Sequence, residues 1–186
     1  MASTMIPIGY MYKNISRKAD WLKADQVVDI YSVSSCISED FTDWINYWKH
    51  NGYWFFNSPK VIQHLAKEQH LSLQGMTLFY YLAYEKQWDD DNRRWLAFEA
   101  ERSFSTNIDQ PENAVFQGYD IVSFSGQTCA ECSPLSCNGM AQELTVNKHC
   151  LLDDLKEAKK FLEQGTFHNC EPGPYRIFAV YTVDDS

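Results

Sequence analysis

Residues 76 to 88, Met-Thr-Leu-Phe-Tyr-Tyr-Leu-Ala-Tyr-Glu-Lys-Gln-Trp, form the segment that most restricts the fold. They read as one long strand, dense in rings, bounded by Gly75 and by Asp89-Asp-Asp-Asn92. Residues 94 to 101 alternate enough to return as its antiparallel partner, which makes the acidic tetrad a hairpin loop. With 11 Phe, 11 Tyr and 6 Trp in 186 residues, the sheet built on this hairpin needs an aromatic core.

Further strands are expected at residues 26–33, where β-branched and aromatic residues partly alternate, at residues 118–124, and at residues 175–183, whose apolar run suits a central strand. Phe41, Trp44, Ile45 and Trp48 recur at helical steps and predict a short helix. Ser58-Pro59 is a helix start, with Val61, Ile62, Leu65 and Ala66 as its buried face and an end near His70. Leu151, Leu155, Ala158 and Leu162 mark a third helix, closed by Gly165. This order has too few strand–helix alternations for a doubly wound sheet. It predicts an α+β fold, a mainly antiparallel sheet with about three helices packed on it. Residues 1–186 make one domain, with a weak division at the polar stretch 103–112.

The formal net charge is -9, from 16 basic and 25 acidic side chains, so phosphate backbones are repelled and a nucleic-acid partner is not expected. No apolar run approaches a membrane span, and residues 1–18 lack the pattern of a secretory signal; the expected compartment is the cytoplasm. Acidic clusters occur at Glu39, Asp40 and Asp43 and at Asp89, Asp90 and Asp91, and these are the candidate partner contacts. Solvated loops and helix starts are the plain alternative for them. A calcium loop at residues 89–100 fails, because Arg94 stands where the turn glycine belongs and Ala100 where the closing Glu belongs.

Four of the six cysteines fall within residues 129–150. Cys129, Cys132, Cys137 and Cys150 are the candidate zinc ligands, but the second ligand hook would be the adjacent pair His149-Cys150, an awkward geometry for one ion. A nucleophilic thiol activated by His149 or His168 is a second possibility. Plain packing of small cysteines in a tight loop is the third. Reducing conditions make the even cysteine count no disulfide framework. No Gly-x-Ser-x-Gly turn, phosphate-binding loop or His-x3-His pair occurs, so no catalytic residue is assigned and no cofactor, zinc aside, is implied.

The segments Gly75-Met-Thr-Leu-Phe-Tyr-Tyr81, Gly118-Tyr-Asp-Ile-Val122, Glu131-Cys-Ser-Pro-Leu-Ser-Cys-Asn138 and Glu171-Pro-Gly-Pro-Tyr175 resemble the shared motifs of a family of small stand-alone bacterial proteins without assigned activity. The resemblance runs from about residue 60 onward. It implies a bacterial cytosolic protein and brings no site residues.

Two functions are compatible with these features. The first is a non-enzymatic binding domain whose acidic, aromatic surface occludes a basic protein partner, as immunity proteins occlude toxins. The second is a structural zinc or reactive-thiol site in the cysteine segment.

Overall fold

The computed structural model describes residues 4–45, 50–98 and 107–185. Its strands are β1 (Met5–Lys13), β2 (Ser16–Arg17), β3 (Asp29–Ile30), β4 (Thr77–Tyr84), β5 (Lys86–Asp89), β6 (Arg94–Ala97), β7 (Ala114–Ser123) and β8 (Tyr175–Val183). The helices are α1 (Pro59–Glu68) and α2 (Leu155–Glu163). The fold is α+β with a mainly antiparallel sheet, and two α-helices rather than three are present among the described residues.

β8 is the central strand. It pairs antiparallel with β4 on one side and with β7 on the other, and β1 lies beyond β4. The long strand expected at residues 76–88 is broken between β4 and β5 at Glu85, whose amide is bonded to the carbonyl of Thr4. β5 then pairs with β6 through a turn in which Asp89 accepts bonds from the backbone and side-chain amides of Asn92. Register places Tyr10, Tyr80, Tyr181 and Phe116 side by side across all four strands. Their neighbouring rings stand 5.0, 6.0 and 5.4 Å apart, contacts that add to the burial of their area.

β1 has no counterpart among the strands read from sequence, because Pro7 and Gly9 interrupt its pattern. Gly9 occupies a bulge with φ +129°, where an added Cβ would lie 2.5 Å from the carbonyl oxygen of Phe56. The glycine thus lets the chain at Phe56 bridge to Tyr10 outside β1. The same device recurs on the opposite margin. Gly118 sits at the β7 bulge with φ +144°, and a Cβ there would meet Leu151 at 2.7 Å, just where Leu152 bridges to Tyr119.

Residues 26–33 do not form a long strand; only β3 is regular, because the amides of Val28 and Tyr31 are bonded to the carbonyls of Lys148 and His149. The helix expected at residues 41–48 is a single 3-10 turn, Thr42–Trp44, and Trp48 lies outside the described residues. α1 follows Ser58-Pro59 and buries Ile62 and Ala66, whereas Val61 stays 48 % exposed. α2 begins later than Leu151; its first free amide is capped by Asp154, which accepts from the amide of Lys156. Arg176, wholly buried on β8, donates to the carbonyls of Tyr84 and Phe98 and lies over the rings of Tyr53 and Phe98.

Candidate functional site

Two buried charges organise one end of the molecule. Asp120, on β7, is fully buried, and all its acceptor positions are used. One carboxylate oxygen accepts from the Ser133 hydroxyl at 2.6 Å and the Ile121 amide at 2.9 Å; the other accepts from the Ser32 hydroxyl at 2.8 Å and the Val33 amide at 2.9 Å. Lys13, at the end of β1, donates its ammonium protons to the carbonyls of Ser32 and Ser34 at 3.2 and 2.9 Å and pairs with Asp40 at 3.4 Å. Residues 32–34 are therefore gripped from both sides: the carboxylate takes the donors and the ammonium the acceptors. Burial pushes the Asp120 carboxyl up and the Lys13 ammonium down from their ordinary values, and the surrounding hydrogen bonds and Asp40 oppose those shifts. With Asp120 0 % and Lys13 1 % exposed, these groups tie the loops together from inside the fold.

What they hold is a set of thiols. The grip on residues 32–34 fixes the turn that carries Cys36, whose amide is bonded to the Ser34 hydroxyl. The Asp120–Ser133 bond fixes the loop that carries Cys132, and the Cys132 carbonyl accepts from the amide of Ser123 at 2.8 Å. The sulfurs of Cys36 and Cys132 come within 3.7 Å. Cys137 approaches the Ser34 hydroxyl at 3.7 Å, and Cys129 the Ser35 hydroxyl at 3.5 Å. Cys36 is exposed, and Cys129, Cys132 and Cys137 are half-buried. Burial, with Cys36 and Cys137 alongside, pushes the Cys132 thiol up to about 12; burial also raises Cys129.

Of the four cysteines singled out in the sequence, Cys132 has Cys137 beside it and also meets Cys36, which the sequence reading did not include. Cys150 is buried in the apolar core beside Leu152, Ala158 and Ile177, its thiol pushed up to about 12 by burial. Cys36 is 96 positions from Cys132 in sequence, and no local spacing announces it. Among the described residues, no group of three or more His, Cys, Asp or Glu is arranged to hold a metal ion. The histidines considered as thiol partners are engaged otherwise: His149 lies 2.5 Å from Asp29 and stacks on Tyr31, and Nδ1 of His168 lies 3.1 Å from the Gly165 carbonyl.

The acidic candidates divide. Asp40 has a side chain only 7 % exposed and turned onto Lys13, which leaves little of its carboxylate at the surface. Glu39 and Asp43 on either side are exposed. At the β5–β6 turn, Asp89 is occupied by Asn92 and Arg94 and Asp90 accepts from the Trp88 indole, while Asp91 is exposed.

One apolar margin was not legible from sequence. β7 is bridged by Leu152 at Tyr119, but nearer its start Val115 and Phe116 are 61 % and 42 % exposed. Val115 lines an open cavity of about 660 Å³ whose walls also include Glu112, Thr182 and Asp184, while the Phe116 ring packs against Tyr119 and Tyr181. Among the described residues, no helix is long and apolar enough to cross a membrane. Comparison of the chain with protein families, with curated proteins and with solved structures finds no match.

Proposed function

We propose that this chain is an acidic protein-binding domain of the bacterial cytoplasm that occludes a basic partner, as an immunity protein neutralises a toxin. The observation that carries the reading is the start of β7, where, among the described residues, Val115 and Phe116 are exposed on a strand margin and Val115 lines a cavity walled by Glu112 and Asp184. Such a margin offers backbone donors and acceptors to an added strand, apolar contact from Val115 and Phe116, and carboxylates that favour Lys or Arg on the incoming segment. An extended basic segment of the partner is its occupant. Glu39, Asp43 and Asp91 extend the negative field that speeds its approach, and the net charge of -9 acts in the same sense.

Recovery of the tagged chain from the organism that encodes it, followed by mass spectrometry and reconstitution from purified components, tests the reading. The expected result is a 1:1 complex with a basic protein, weakened by Val115→Lys, which places a like charge against the incoming segment. Return of the chain alone, or a complex indifferent to that change, contradicts it.

A second reading makes the thiol junction the acting site, as a structural zinc site or a reactive-thiol centre. The approach of Cys36 to Cys132 favours the reactive-thiol form. One equivalent of zinc in untagged protein, or one thiol reacting far faster than the others, would separate its two forms.

A further inference from the structure

We infer that Cys36 and Cys132 are a dithiol pair that closes to an intramolecular disulfide on reaction with a small-molecule disulfide of the glutathione class, tying residues 34–36 to residues 129–132. The inference rests on the reactive-thiol reading and is independent of the binding one.

The sulfurs lie 3.7 Å apart, and a disulfide bond is about 2.05 Å long, so closure needs a movement of under about 2 Å. The two loops cannot drift apart to avoid it, since the buried carboxylate of Asp120 grips both through Ser32, Val33 and Ser133. Rotation of the exposed Cys36 side chain, on a turn at the surface, supplies the adjustment. Cys137 also stands beside Cys132, but its sulfur meets the Ser34 hydroxyl at 3.7 Å, and the Cys129 sulfur meets the Ser35 hydroxyl at 3.5 Å.

Exposure also sets the order of events. The Cys36 thiol loses its proton to solvent, and its thiolate attacks one sulfur of the oxidant; the oxidant's S–S bond breaks, and one thiolate leaves. Cys36 is then a mixed disulfide. It no longer ionises, so one of the neighbours that opposes formation of the Cys132 thiolate is gone. Cys132 gives up its proton, attacks the sulfur of Cys36 and expels the second small thiolate. Two protein thiols are oxidised, and one small disulfide is reduced to two thiols.

Reduced full-length protein treated with oxidised glutathione provides the test. Wild type should lose two hydrogen masses, peptide mapping should join Cys36 to Cys132, and dithiothreitol should restore the starting mass. Cys132→Ser should stop at one glutathione adduct on Cys36, Cys36→Ser should form neither product, and Cys129→Ser should behave as wild type. Circular dichroism identifies any variant that fails to fold, and the wild-type mapping stands without the variants. A stable adduct on Cys36 with no second step overturns the pair but keeps a reactive thiol. Equal, slow reaction of all six cysteines overturns both, and a bond mapped to Cys132 and Cys137 overturns the assignment of partners.

Discussion

At the scale of single residues, Asp120 ties the sheet to the loops that carry the thiols. Its carboxylate serves four donors from three separate segments, so truncation leaves the hydroxyls of Ser32 and Ser133 and the amides of Val33 and Ile121 without their acceptor. It also removes a negative charge whose field favours the ammonium of Lys13. Asp120→Ala should therefore cost roughly 3 to 5 kcal/mol in urea denaturation, and the Cys36–Cys132 reaction should slow in the surviving folded protein. A loss below about 1 kcal/mol, the range of surface changes, would show that the bonds are dispensable. The sequence carried a faint signal for this residue. A lone carboxylate between Tyr119 and Ile121-Val122 in a strand is out of place, as is Lys13 after Met11-Tyr12, and each invites a search for a buried partner. Nothing local indicates that the partners are residues 32–34, because those contacts span about 20 to 90 positions of chain.

At the scale of elements, the strongly patterned segments were legible: β4 with β5, β8, α1 and α2 all follow apolar periodicity and flanking turn or cap residues. β1 was not, since the proline and glycine that argue against a strand are what admit its bulge. The extent of β3 was not, because its neighbours bond to residues 148–149 across the fold rather than to an adjacent strand. In Gly118→Ala, the added methyl meets Leu151 at 2.7 Å and the carbonyl oxygen of Leu152 at 2.9 Å, on a backbone with φ +144°. The Tyr119–Leu152 bridge should open, with a loss of about 3 kcal/mol by denaturant titration. Gly75→Ala, at a positive-φ turn with open space around it, should lose less, about 1 kcal/mol. Equal losses at both would show that backbone conformation, and not close approach, governs the site.

At the scale of the whole molecule, the thiols and phenols impose a pH dependence. The folded values of Cys132, Cys150 and Tyr12 are all raised to about 12, in each case first by burial, so folding favours their neutral forms. A raised folded value means that the contribution is complete below the unfolded value, near 9 for a thiol and 10 for a phenol, and is lost as the pH climbs towards 12. The urea midpoint should hold steady from pH 7 to about 8.5 and fall progressively above about pH 9. A midpoint that rises over that interval would contradict the burial of these groups.

The proposed capture of a basic partner by negative potential beside the β7 margin is a property of the whole surface. Its most direct measurement is the association rate of the purified chain with its recovered partner as a function of ionic strength, for wild type and Glu112→Lys. The rate should fall about tenfold or more between roughly 0.05 and 0.5 M salt, with a lower rate and a shallower slope for Glu112→Lys. A rate independent of salt, or one unchanged by Glu112→Lys, would contradict it.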